Sequence, residues 1–227
     1  MKNKIRLALI LVAFAFISLS SCHKESSDDV NQSRIFTSYE LYYNADEDIT
    51  HARASFRFGN ITGTLLELSA PSEVRFNNQL LSFNSTLAYY EKSYAGFVQS
   101  GTFTWKNTEG TVFNNTIEIH SVDYPALLDT IYRDASLEFI WQGDSLGANE
   151  VLTLSISNDL GEAQLFSQAT INSKSIILPL NKLQLLEEGE AKIWMDRKYS
   201  PPLVEKTSAG GTITSRYRPV NRTVYLK

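Results

Sequence analysis

The sequence predicts an all-β protein built from two tandem antiparallel β-sandwiches, with one large sandwich as the alternative. Three observations carry this reading. From Arg34 onward the apolar residues recur with a period of two rather than 3.6. The segments so formed are short and bounded by Asn, Gly, Ser and Asp, which supply turns. The chain has a single cysteine, so no disulfide within it can hold the fold, which must rest on apolar burial. At 43% hydrophobic and 11% aromatic, it has the material for that.

The first sandwich is predicted over 33–121. Ala52, Ala54, Phe56 and Phe58 point one way, while Arg53, Ser55 and Arg57 point the other. The same alternation sets Val74 with Phe76, Phe103 with Trp105, and Ile117 with Ile119 on an inner face. Turn residues such as Asn77, Asn78 and Glu109, Gly110 close these strands. The alternation lapses at Val122, Asp123, Tyr124, Pro125, where the proline obstructs a continuing strand. The domain boundary is placed there.

The second sandwich is predicted over 122–227. Its inward sets are Leu137, Phe139 and Trp141; Leu152, Leu154 and Ile156; Ile176, Leu178 and Leu180; and Ala191, Ile193 and Met195. Leu183 to Glu188 reads as a helical turn closed by Gly189. Several strands, a short crossing turn and two long strands ending at Lys227 give an order that resembles immunoglobulin-like or fibronectin-like sandwiches.

The start of the chain carries an address. Lys2, Lys4 and Arg6 precede an apolar run from Leu7 to Leu19, and small residues follow. A run of thirteen residues, apolar but for Ser18, falls short of the ~20 that span a bilayer as a helix, so 1–21 reads as a cleaved secretory signal. Leu19, Ser20, Ser21, Cys22 resembles the lipobox of bacterial lipoproteins, which implies that Cys22 becomes the acylated first residue of the mature chain. Residues 22–32 are polar and read as a flexible lipidated tether. Within it, Lys24, Glu25 and Ser27, Asp28, Asp29 resemble the export signal of Bacteroidota-type surface lipoproteins. That resemblance implies an outer-membrane protein facing the cell exterior, with a periplasm-facing orientation as the alternative.

Composition narrows the function. Losing Lys2, Lys4 and Arg6 with the signal takes the net charge from −4 to −7, which gives no support to nucleic-acid binding. Gly143, Asp144, Ser145, Leu146, Gly147 spells both GxSxG and GDSL, yet His23, His51 and His120 all precede Ser145 and no DxxH follows it. The string therefore reads as a turn. Asn44, Asp46 and Asp48 alternate like calcium ligands, but Ile49 and Ser55 stand where an EF-hand loop needs Gly and Glu, so an acidic hairpin tip is expected. The histidines lack zinc spacing, and neither a metal nor another cofactor is expected.

What remains is a binding surface. Trp194 falls in the phase of Lys192 and Asp196, opposite Ile193 and Met195, and is the expected exposed ring. Residues 192–227 carry eight basic side chains against two acidic ones, and Arg216, Arg218 and Arg222 would share a face of one last strand. Trp194, Lys192, Arg216, Arg218 and Arg222 form the candidate ligand set. Asp129, Thr130, Ile131 and Asp144, Ser145, Leu146 resemble O-glycosylation acceptors of exported Bacteroidota proteins, which implies modification at Thr130 or Ser145. The expectation is a non-enzymatic, membrane-anchored surface lipoprotein that binds a glycan or a protein partner. Its alternatives are a structural or accessory subunit of a surface assembly and, behind that, a polysaccharide-active enzyme.

Overall fold

The structure, a computed structural model, describes residues 25–158 and 163–227. The expected signal over 1–21 and the expected lipidation site Cys22 lie outside the described residues. In chain order the strands are β1 (Glu25–Ser26), β2 (Ile35–Asn44), β3 (Ile49–Phe58), β4 (Leu65–Glu67), β5 (Glu73–Phe76), β6 (Gln79–Leu80), β7 (Ser82–Asn84), β8 (Tyr89–Ala95), β9 (Ser100–Lys106) and β10 (Val112–Glu118). There follow β11 (Thr130–Ile131), β12 (Leu137–Ile140), β13 (Glu150–Ser157), β14 (Gln164–Gln168), β15 (Ser175–Leu178), the one-turn helix α1 (Leu180–Leu183), β16 (Gly189–Tyr199), β17 (Gly211–Arg218) and β18 (Arg222–Leu226). The protein is all-β, and its sheets pack face to face as sandwiches.

Alternation on β2 and β3 buries Tyr39, Leu41, Ala52, Ala54 and Phe56 against Val74, Phe76, Phe103, Trp105 and Ile117 of the sheet ordered β10-β9-β5-β6. Rings lock the layers together: Tyr39 stacks on Phe103 at 4.9 Å and Phe56 meets Trp105 at 5.2 Å. The second core sets Leu152, Leu154, Ile156, Ile193 and Met195 against Phe139, Ile176 and Leu178 of the β12-β15 pair. Trp141, Leu183 and Leu186 close it. Each fully buried side chain of this size contributes roughly 1.5–3 kcal/mol of transfer free energy, so burial alone can hold a chain without disulfides.

The two cores share one sheet. The first half of β16, Gly189 to Ile193, pairs with β18, and its far end, Arg197 to Tyr199, pairs with β17. β17 then runs parallel to β2 from Gly211↔Thr37 to Arg218↔Asn44. A single 12-stranded sheet therefore passes beneath both clusters. Leu203 and Ile213, from the second half of the sequence, pack into the first core. Alongside the antiparallel ladders the described residues form three parallel pairs, β1 with β4, β11 with β18, and β17 with β2.

Three expectations need correction. The tether expected over 22–32 is docked on the first sandwich from Glu25 onward: Ser27 is 0% and Gln32 4% exposed. Polar residues dock here because their hydrogen bonds are met. Gln32 Nε2 donates to the Ser27 and Val30 carbonyls at 2.5 and 3.0 Å, and the Ser69 N–H donates to Ser27 Oγ at 2.9 Å. The expected last strand is two strands, because Pro219 lacks an N–H and the chain crosses at 219–221 before β18. The helical turn starts at Leu180, directly after Pro179, which ends β15 and takes Leu180 out of the strand pattern.

Candidate functional site

The outer face of the large sheet is polar, and its register assembles it. Cross-strand pairing puts Lys198, Arg216, Tyr42 and His51 in one row across β16, β17, β2 and β3. The next row holds Thr214, Glu40, Arg53 and Glu91, the last from β8, and a third holds Thr212, Ser38 and Ser55. Their neighbours in sequence point inward, so every residue of these rows faces the same side. Between the rows lies an open depression of about 410 Å³ lined by Ser38, Glu40, Arg53, Tyr89, Lys198 and Arg216, with Ser55, Thr212 and Thr214 adding hydroxyls. That volume falls in the range of about 300–1,000 Å³ of ordinary small-ligand sites.

The charges here are ordered but unequally satisfied. Arg53 is committed: its Nε donates to Glu91 at 2.7 Å and its Nη1 to Glu40 at 3.2 Å. Arg216 lies over the Tyr42 ring, Cζ to centroid 3.8 Å, and its polar side-chain contact among the described residues is one 3.4 Å bond from Nη2 to Glu40. Its Nε is buried without a hydrogen-bond partner. Lys198 is exposed and makes no ion pair among the described residues. Burial raises the Tyr42 phenol above its ordinary pKa, against the pull of Arg218 and Arg216, so the ring under Arg216 stays neutral. The site is thus a hydroxyl-lined hollow with an aromatic wall and two under-used cations.

The other expected ligand residues lie elsewhere or are occupied. Trp194 is half-buried on the outer face and Lys192 is exposed beside it. The two border a separate small groove with Ser157, Asn158 and Glu190. Arg218 forms a bidentate pair with Asp196 at 2.9 and 2.5 Å. Arg222 donates to the Pro125 carbonyl at 3.1 Å and lies over the Tyr124 ring. Of the candidate set, only Arg216 belongs to the depression. Thr130 is half-buried in β11, and Ser145 is exposed in the β12–β13 loop.

That loop caps a buried ion pair. Glu150 and Arg197 are each 3% exposed and bond through both guanidinium edges, Nε to Oε1 at 2.9 Å and Nη2 to Oε2 at 2.7 Å. Arg197 also donates to the carbonyls of Ser121, Asp144 and Ser145, and the Gly147 N–H donates to Glu150. The GDSL string thus supplies backbone partners to a structural charge. His120 hydrogen-bonds Glu150 through Nδ1 at 2.5 Å and Glu118 through Nε2 at 2.9 Å, so both ring nitrogens face carboxylates rather than a serine. Burial lowers its pKa, but these two bonds outweigh it and the net shift is upward.

At the β2–β3 hairpin, Asp48 accepts from the Tyr43 hydroxyl, Asp46 from the Asn221 N–H, and Asn44 from the Asp46 N–H. Among the described residues no group of three or more His, Cys, Asp or Glu converges as a metal site. Nor, among them, is any helix long and apolar enough to cross a membrane.

Fold and site together define an all-β double sandwich with an open, positively biased hollow on its shared sheet. No family model matches the chain, and no curated protein matches it. Among solved structures it is similar to the EC1-2 crystal structure of human mucin-like protocadherin, at 10% identity over 85% of this chain and 96% of that one, with a TM-score of 0.23. The sandwiches are defined by the sheets themselves and the two cores they enclose.

Proposed function

We propose that this chain is an exported, non-enzymatic lipoprotein that binds a glycan on the outer face of its shared sheet. The observation that carries the reading is the hollow itself, where four hydroxyl side chains, two guanidiniums and the Tyr89 ring converge on about 410 Å³. Hydroxyl groups and an aromatic wall match the alternating polar edge and apolar face of a sugar ring. Acylation of Cys22 would hold the protein on the outer membrane, facing the cell exterior, with several acyl chains at ~0.8 kcal/mol per buried methylene. Since Glu25 is already docked, only His23 and Lys24 lie between Cys22 and the folded body, so three Cα–Cα steps give a reach of at most about 10 Å. The sandwiches would therefore stand directly on the membrane surface.

An accessory role in a surface assembly is the second reading, and its own observation is β14. In the ladder this strand pairs with β13 alone among the described strands, although Gln168 donates to the Ser175 carbonyl and Lys182 to the Leu165 carbonyl, and it carries Leu165 at 57% exposed. A glycan array probed with wild type and Tyr89→Ala tests the first reading. Binding that falls at least tenfold in the variant supports it. Absence of any bound glycan turns the assignment toward the protein-docking alternative.

A further inference from the structure

From the geometry we infer that the hollow takes a carboxylate-bearing sugar, with Arg216 and Lys198 holding the carboxylate; this rests on the glycan reading above and names its ligand class. The lining holds three cations, Arg53, Lys198 and Arg216, against one carboxylate, Glu40. Arg53 is neutralised from both sides by Glu40 and Glu91 at 3.2 and 2.7 Å. Glu40 thereby spends its closer contact on Arg53 and meets Arg216 at only 3.4 Å. That distance is longer than the 2.7–2.9 Å of a well-made charge-assisted bond, so Arg216 retains capacity for a second anion. Lys198 sits directly across the strand pair from it and is unpaired among the described residues.

Rigidity points the same way. A free arginine side chain has much rotamer freedom, most of which is lost when it grips a ligand. Arg216 has already lost it, clamped on Tyr42 at 3.8 Å with Nε buried and Nη2 tethered to Glu40. A planar guanidinium held in this way is pre-organised to meet a carboxylate through its Nη end, since Nε is buried and Nη2 keeps one proton beyond the bond to Glu40. The neighbouring row supplies Thr214 beside Glu40, and the row beyond it pairs Thr212 with Ser38 and Ser38 with Ser55. These hydroxyls stand where the ring hydroxyls of the same sugar would reach. A neutral sugar would use that row and leave both cations idle.

The test uses the full mature chain, purified in detergent, titrated calorimetrically with uronate- and sialate-terminated oligosaccharides and with the same compounds after carboxyl reduction. Acidic members should bind at least tenfold more tightly than their reduced counterparts, and added salt should narrow the gap. Arg216→Met should abolish the preference, the exposed-site variant Lys198→Gln should weaken it severalfold, and Glu40→Gln should strengthen acidic binding. Thermal melts confirm that the variants are folded, and Lys198→Gln serves if Arg216→Met is not. Equal binding of acidic and reduced sugars, still lost in Tyr89→Ala, would overturn the carboxylate assignment while leaving the glycan site standing. Failure of every sugar to bind would overturn both.

Discussion

Replacing Glu150 by Gln should cost this protein about 3 kcal/mol, because the substitution leaves a guanidinium buried without its counter-charge. Arg197 is 3% exposed and makes five hydrogen bonds, two to Glu150 and three to the carbonyls of Ser121, Asp144 and Ser145. Burial opposes ionisation of Glu150 more than any other single influence. The bonds from Arg197, the Gly147 N–H and His120 together overcome it and hold the carboxyl at about 2, against an ordinary 4.5. That depression corresponds to stabilisation on the order of 3 kcal/mol at neutral pH. Removing one member of a buried pair costs ~3–5 kcal/mol in other proteins, so two independent routes agree. Urea unfolding at pH 7 should show this loss with an unchanged m-value.

The same variant fixes the pH dependence. The folded-state pKa of Glu150 is depressed, so its contribution is present above 4.5 and is lost as pH falls toward 2. Wild type should therefore lose its advantage over the variant across that window, and the two should converge in acid. A difference below 1 kcal/mol at pH 7, or one that stays constant down to pH 2, would refute the buried-pair account.

Two further outcomes follow from the fold and the anchor. A Cβ on Gly211 would stand 2.5 Å from the Thr37 carbonyl and 2.4 Å from Leu203 Cδ1, so Gly211→Ala should cost about 2 kcal/mol in chemical denaturation by forcing β17 away from β2. A variant as stable as wild type would show that the parallel pairing is not what joins the halves. Cys22→Ala should release the protein from membranes or leave an unprocessed precursor, and wild type should incorporate labelled fatty acid. Unchanged membrane fractionation, with no label on wild type, would dismiss the lipid anchor.

The sequence makes the strands legible and hides how they meet. Phe103, Trp105, Leu152, Leu154, Ile193 and Met195 are all buried as the period of two requires, because alternation is a property of one strand at a time. The docking of Gln32 is invisible to composition, since a polar segment reads as a tether whether or not its hydrogen bonds are met by the fold. The hollow is hidden for a stronger reason. Arg53 and Ser55 are predictably outward, and so are Thr212, Thr214 and Arg216, but some 160 residues separate the two sets.

What brings them together is the parallel register of β17 on β2, which places Arg216 beside Tyr42 and Thr214 beside Glu40. A slip of two residues would keep every side chain on its own face, yet it would move Arg216 off Tyr42 and dissolve the site. Register is therefore the quantity on which function turns, while the hydrophobic pattern constrains it only to the nearest even number. The terms that select among even slips are local contacts: Gly211 against Thr37, the Ala45 N–H donating to the Arg218 carbonyl at 2.9 Å, and Thr207 Oγ1 donating to the Ile35 carbonyl at 2.7 Å. The residues that pin the site are thus turn and edge residues outside it, and Gly211→Ala should degrade binding together with the fold.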